Sequence, residues 1–157
     1  MAKITLEKTG DEVLIDDEDL ARVSQYEWVL HKQGYAMTAG RMLLHRFILN
    51  APKDKCVDHI NHKLLDNRKS NLRLCSKMQN QGNKQKQRSQ TTSKYKGVSW
   101  HKASKKWRAC ISHNDKHKHI GTFEIELAAA IAYNDAAIKY FGDFALLNDL
   151  NPKLQEK

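Results

Sequence analysis

The chain has 157 residues, 40% of them hydrophobic, and 27 Lys and Arg against 18 Asp and Glu give it a formal net charge of +9. That length holds one ordinary domain or two small ones. No run approaches the roughly 20 apolar residues of a membrane span, and residues 1–6 lack the apolar core of a signal peptide, so a soluble cytoplasmic protein with no membrane partner is expected. Cys56, Cys75 and Cys110 are too few and too scattered for a disulfide framework. No pair of them has the spacing of a zinc site, so no structural zinc is expected. The charge is unevenly placed: residues 76–120 hold 12 Lys or Arg against one acid, Asp115. A strongly basic stretch beside a near-neutral remainder suggests a polyanion partner.

In chain order, residues 1–50 read as a small α+β lead-in. Glu12, Val13, Leu14 and Ile15 suggest a strand. The four acids at 16–19 favour a helix start by capping and by charge at its positive end. That helix would span 17–24 with Leu20 and Val23 inward. Tyr26, Trp28 and Val29 suggest another strand, Gly34 a turn, and residues 42–49 a continuous apolar element ended by Pro52. Residues 56–59 form a short strand, 61–70 a polar loop and 72–75 the returning strand. Ser76, with Gln79 three residues on, has the pattern of a capping box. It opens a helix over 77–83 that carries Asn80 in its first or second turn.

Residues 80–93 hold almost nothing apolar and cannot bury enough surface to fold as a core. They read as a linker whose Lys84, Lys86 and Arg88 can sit on phosphates. Beyond it, 95–101 and 107–112 read as strands joined by a basic turn, and 118–122 as a third. A helix over 124–140 follows, with Leu127, Ala130, Ile131, Ala137, Ile138 and Phe141 at helical spacing and Gly142 as its terminator. The fold class is α+β: a domain at 1–83, a basic flexible linker at 84–94, and a three-stranded antiparallel sheet packed on one helix at 95–150.

The chemistry concentrates at Asp58, His59, Asn71 and Asn80. Phosphodiester cleavage requires an activated water, a neutralised phosphate and a stabilised leaving oxygen, and a divalent metal serves the last two. Hard oxygen ligands suit magnesium or manganese; Asp58 supplies a carboxylate and Asn80 a neutral carbonyl. His59 can accept a proton near neutral pH, and Asn71 could hydrogen-bond the imidazole and fix its orientation. The bland alternative makes Asp58 and Asn71 turn-formers and His59 a satisfied polar group. Asn83 competes with Asn80 as the helix ligand, His62 and Asn67 read as loop-shaping, and His45 reads as a structural neighbour rather than the base.

These residues carry a resemblance. Leu44, His45 and Arg46, then Val57, Asp58, His59 and Ile60, then residues 66–73, then Gln79 and Asn80, together resemble the HNH nucleases, especially phage and intron-encoded homing endonucleases. The resemblance implies a ββα-metal domain acting on double-stranded DNA in a bacterial or phage-infected cell. It makes His59 the general base, puts Asp58 and Asn80 on one divalent cation, magnesium or manganese, and makes Asn71 the residue that positions His59.

Residues 95–148 resemble the DNA-binding domain of plant ethylene-response factors. The match rests on Tyr95 to Val98, Lys106 to Ala109, Ile120 to Phe123, Ala128 with Ala129, Ala132 with Tyr133, and Gly142 with Leu147 and Asn148. In that family the sheet enters the major groove and the helix supports it from behind. The family's reading positions fall on Lys96, Ser99, His101, Ser112 and His117, and a tryptophan position falls on His119; most of its arginines are absent. Strand alternation turns Trp107, Ala109 and Ile111 to the helix and Arg108, Cys110 and Ser112 to DNA. Lys102, Lys105 and Lys106 form a basic turn suited to phosphates, and Trp100 could contact DNA or pack internally.

The expected protein is therefore a metal-dependent, site-recognising DNA endonuclease of the homing type that binds as a monomer. The competing expectation is a DNA-binding transcription regulator with an inactive nuclease module. On the first reading, removing residues 95–157 weakens site selection more than cleavage chemistry.

Overall fold

The structure is a computed structural model that describes residues 1–86 and 92–151. Arg88, expected on a phosphate, lies outside the described residues. The chain forms two compact units, 1–77 and 78–157, each a mixture of helices and small antiparallel sheets.

In the N-terminal unit, β1 (Ala2–Thr5) pairs with β2 (Glu12–Ile15). β1 was not expected from the sequence, because four residues of mixed polarity give little periodic signal. The acidic run yields one 3-10 turn at Asp17–Asp19 and a four-residue helix, α1 (Leu20–Val23). Asp16 makes no capping bond to the turn; its Oδ2 instead accepts the Lys69 N–H at 2.7 Å. Val23 is buried as expected, but Leu20 is 39% exposed. β3 (Val29–Leu30), β4 (Ala36–Met37) and α2 (Leu44–Ile48) complete the lead-in.

The core of this unit is Leu6, Val13, Ile15, Val23, Trp28, Ala36, Leu44, Ile48 and Leu72. Trp28 is amphipathic, and its Nε1–H donates to the Val23 carbonyl at 2.9 Å, so its burial leaves no donor stranded. Over this core lies a hairpin of β5 (Cys56–His59) and β6 (Leu72–Cys75), in register Cys56–Cys75, Val57–Leu74, Asp58–Arg73 and His59–Leu72. Val57 and Leu72 pack on the core. Strand alternation therefore puts His59 on the core side and Asp58 with Arg73 on the other. The connecting loop is tied to β2: Leu14 N–H donates to Leu65 C=O at 2.9 Å, and Asn67 N–H to Leu14 C=O at 2.8 Å. α3 (Lys77–Asn83), with the boundaries expected from the sequence, opens the C-terminal unit.

The C-terminal unit contains a three-stranded antiparallel sheet, β7 (Val98–His101), β8 (Lys106–His113) and β9 (Lys116–Phe123), in that order. α4 (Glu126–Phe141) covers one face. Of the residues expected at helical spacing, Ala130, Ala137 and Phe141 are buried and the Leu and Ile positions are not. Leu127, Ile131 and Ile138 are 37%, 44% and 52% exposed, while Ala129, Ala130, Tyr133, Ala137 and Phe141 are buried. The alanines allow the helix axis to approach the sheet closely, and the aromatics fill the space at either end. At Gly97, where φ is +74°, an added Cβ would lie 2.0 Å from the Tyr133 ring, so only glycine fits. Asn148 closes the unit: its Oδ1 accepts the Lys96 N–H at 2.6 Å, and its own N–H donates to Asn134 Oδ1 at 2.8 Å.

Candidate active site and nucleic-acid interface

Asp58 is buried, and Arg73 sits directly across the hairpin from it. The Arg73 Nε–H and Nη2–H both reach Asp58 Oδ2 at 2.9 Å. A buried carboxylate without such a partner would carry a large desolvation cost. Arg73 was missed in the sequence, although it follows from pairing residues 56–59 with 72–75.

His59 is also buried. Its ring lies 5.1 Å from the His45 ring, edge-on, and 6.0 Å from the Tyr35 ring. The amide nearest its Nε2 is Asn67, whose Oδ1 is 3.4 Å away. Asn67 is itself 1% exposed, and its Nδ2–H donates to Leu64 C=O at 3.3 Å, which fixes the amide orientation with oxygen toward the ring. An imidazole that donates to Asn67 Oδ1 carries its hydrogen on Nε2 and has Nδ1 as its basic nitrogen.

Burial lowers the pKa of His59 below the usual imidazole value, against the raising effects of the Asn67 contact and the Asp58 and Asp66 charges. Burial also pushes His45 down to about 3, assisted by His59 and Arg46. Both rings are therefore neutral at physiological pH.

Asn71 was expected to hold the His59 ring, but its side chain braces the loop instead. Its Oδ1 accepts the Asn61 N–H at 3.0 Å and its Nδ2–H donates to Asp66 C=O at 2.7 Å. The Asp66 carboxylate takes two Arg68 bonds at 2.7 Å and one from Asn61 Nδ2 at 2.8 Å. Arg68 holds its pKa below the ordinary carboxylate value. This network braces the loop that carries Asn67. Nothing in the periodicity of residues 61–70 singles out Asn67, because its position is set by bonds to Leu14.

The Asp58 carboxylate is a hard oxygen donor of the type that suits a divalent cation, and the neighbouring imidazoles are neutral rather than repelling cations. Among the described residues no group of three His, Cys, Asp or Glu is placed to hold a metal. Asn80 lies on α3.

In the C-terminal unit the strand register sorts the expected DNA contacts. Ser99, Arg108 and Thr122 lie in one cross-strand row, Cys110 and His119 in the next after a bulge, and Ser112 and His117 beyond it. Ala109 and Ile111 are buried toward α4, so Arg108, Cys110 and Ser112 occupy the opposite face. The histidines there bond to hydroxyls: His117 Nδ1 lies 3.1 Å from Ser112 Oγ and His119 Nε2 3.2 Å from Thr122 Oγ1. His101 Nδ1 is 2.8 Å from Ser104 Oγ. Arg108 Nε is buried and has no partner among the described residues.

Lys102 and Lys105 are exposed, and Lys106 pairs with Glu124 at 2.6 Å. Trp100 stacks edge-on with its cross-strand partner Trp107, at 5.1 Å. Lys84 is exposed. The ammonium groups of two other lysines in the expected phosphate-binding set point to backbone: Lys86 Nζ donates to Ser93 C=O and to Tyr95 C=O at 2.7 Å, and Lys96 Nζ to Gly82 C=O at 2.7 Å. Among the described residues no helix is long and apolar enough to cross a membrane.

With this geometry in hand, two comparisons define the class. The HNH endonuclease family profile matches residues 50–81, which run from just before β5 to within α3. An uncharacterized HNH endonuclease of Acanthamoeba polyphaga mimivirus is 39% identical over 138 residues, covering 82% of this chain and 70% of that protein. No solved structure matches the chain. The chain belongs to the HNH endonucleases and is a nuclease enzyme. Enzymes of this family typically use a divalent metal, and a DNA partner is expected.

Proposed function

We propose that the protein is a site-recognising DNA endonuclease of the homing type, with His59 as general base and one divalent cation, magnesium or manganese, held by Asp58 and Asn80. The observation that carries this reading is the Asp58–His59 pair on β5, with Asp58 neutralised by Arg73 and His59 kept neutral and oriented through Asn67. When bound, the cation would offset phosphate charge and stabilise the leaving 3′ oxygen.

The chain's own groups do the rest. Nδ1 of His59 takes a proton from water, and the water oxygen forms its bond to phosphorus as the bond to the 3′ oxygen breaks. The leaving oxygen then acquires a proton from solvent. Asn67 holds the ring during transfer, and the Asn71–Asp66–Arg68 network holds Asn67. The hairpin, its loop and α3 act together as a ββα-metal site on this reading. The C-terminal sheet, resembling that of ethylene-response factors, supplies anchoring: Lys102 and Lys105 on phosphates, and Ser99, Arg108, Ser112 and His119 on the exposed face. One active site per chain gives a nick from a bound monomer.

Supercoiled plasmid tests this directly. Incubation with magnesium should convert it to the open-circular form, and His59→Ala should slow the conversion by about a hundredfold or more. Tight binding with unchanged plasmid in every condition would instead favour a regulator with an inactive nuclease module.

A further inference from the structure

The register of the β5–β6 hairpin places Cys56 directly opposite Cys75. Both are free thiols. The Ile60 N–H bond to Asn71 C=O at 2.9 Å fixes the pattern of the ladder. Every second rung from there, Asp58–Arg73 and then Cys56–Cys75, is of the hydrogen-bonded kind, with Cα atoms about 5.5 Å apart. That spacing lies inside the roughly 4.4–6.8 Å that a disulfide spans. The Cys75 thiol reaches across the strand gap, its S–H donating to Cys56 C=O at 3.7 Å. Strand alternation sets this rung beside Asp58–Arg73 on the same face of the hairpin. Cys56 is half-buried and Cys75 is 2% exposed, so a reagent from solution meets Cys56 first. A disulfide holds its Cβ atoms about 3.8 Å apart, closer than the roughly 4.5–5.5 Å of an opposed pair. Closure therefore draws the strands together at this rung, and strain of that kind makes a crosslink readily reducible.

We propose that Cys56 and Cys75 form a thiol–disulfide exchange site that takes a small-molecule disulfide, and that its closure slows nicking by distorting the neighbouring Asp58–Arg73 rung. The Cys56 thiol loses its proton to solvent and its sulfur attacks one sulfur of the small disulfide; that S–S bond breaks and one thiolate leaves. The Cys75 thiol then loses its proton to solvent and its sulfur attacks Cys56 Sγ; the protein S–S bond forms and the second thiolate leaves. The cysteine pair gives up two electrons and two protons, and the small disulfide becomes two thiols. Burial pushes the Cys75 thiol up to about 11, so the second step is the slower one at neutral pH. The exchange stands apart from the reading of Asp58 as a metal ligand; its effect on nicking rests on that reading.

The test treats the full-length protein with oxidised glutathione, quenches with N-ethylmaleimide, digests without reduction and maps the peptides by mass spectrometry. The expected end product is a crosslink between the Cys56 and Cys75 peptides of one chain, lighter by two hydrogens than the dithiol. Cys75→Ala should stop the reaction at a glutathione adduct on Cys56. The crosslink in the parent chain needs no variant, so this arm stands even if a substitution disturbs folding. Both thiols alkylated after prolonged treatment, or an adduct on Cys56 of the parent chain that never resolves, overturns the proposal. In the plasmid assay the crosslinked form should nick about tenfold slower or more, the scale of a small displacement in an active site. Dithiothreitol should restore the rate, and Cys56→Ala should not respond to oxidised glutathione. If the crosslink forms and the rate does not change, Asp58→Ala separates the causes. An inactive Asp58→Ala keeps the reading of the site and overturns the coupling to it; an active one overturns that reading and the coupling with it.

Discussion

The two units treat polar chemistry in opposite ways. The N-terminal unit buries it: Asp19, His45, Asp58, His59, Asp66, Asn67 and Asn71 are all nearly closed to solvent. The C-terminal unit builds its interior mainly from Ala109, Ile111, Ala129, Ala130, Ala137 and aromatic rings, and keeps His117, His119 and most of its basic groups at the surface. The difference matches the two tasks. A group that moves a proton needs a fixed neighbour and a dry environment, where each charge and hydrogen bond counts for more. A group that meets a phosphate works at the surface, at strengths set by the salt around it.

The sharpest contrast lies between two ion pairs. Arg73→Leu would leave the Asp58 carboxylate buried without its guanidinium, and loss of one partner of such a pair costs about 3–5 kcal/mol. Lys106→Leu removes one partner of an exposed pair with Glu124, and a change under about 1 kcal/mol is expected. Urea unfolding of the two variants measures both. Equal effects would mean that water reaches Asp58 freely and that the buried character of the nuclease site is wrong.

Acid offers the next largest difference. His45 has a folded pKa near 3 and an unfolded value near 6.5. Below pH 6.5 the unfolded chain therefore binds the proton first, and stability falls as pH drops from 6.5 toward 3. The slope approaches about 1.4 kcal/mol per pH unit for this one group, or about 2 kcal/mol between pH 6.5 and 5. The lowered value of His59 acts in the same direction. His45→Phe keeps the ring packing and removes one titration, so its stability curve should flatten over this window. A curve identical to that of the parent would show that His45 is already solvated in the fold.

How much of this was legible in sequence divides along similar lines. Asp58, His59 and the helix at 77–83 could be read because strand, turn and cap signals there are local. The bracing of His59 could not be read: Asn67 is placed by hydrogen bonds to Leu14, more than fifty residues earlier in the chain. Arg73 lay within reach, since the register that pairs it with Asp58 follows from the two short strands. On α4 the sequence reading grouped Leu127, Ile131 and Ile138 with Ala130, Ala137 and Phe141, and only the second three are buried. The close approach marked by Gly97 under Tyr133 decides for alanine, and a spacing between sheet and helix is not written in either segment alone.

The smallest expected effect separates the units most cleanly. Lys102 and Lys105 are exposed on the β7–β8 turn, and among the described residues neither forms a salt bridge. If each neutralises one DNA phosphate, replacing it by Ala should lower the slope of log affinity against log salt by about 0.9. Protein stability should stay within about 0.5 kcal/mol, as for other surface changes. Fluorescence anisotropy in EDTA across a salt series reads the slope without interference from cleavage. The nicking rate at saturating DNA should be unaltered, because neither lysine supports α3 or the hairpin. A variant with an unchanged slope would place the turn off the DNA. One with a reduced rate at saturation would show that the turn helps to place the scissile phosphate as well as hold the duplex.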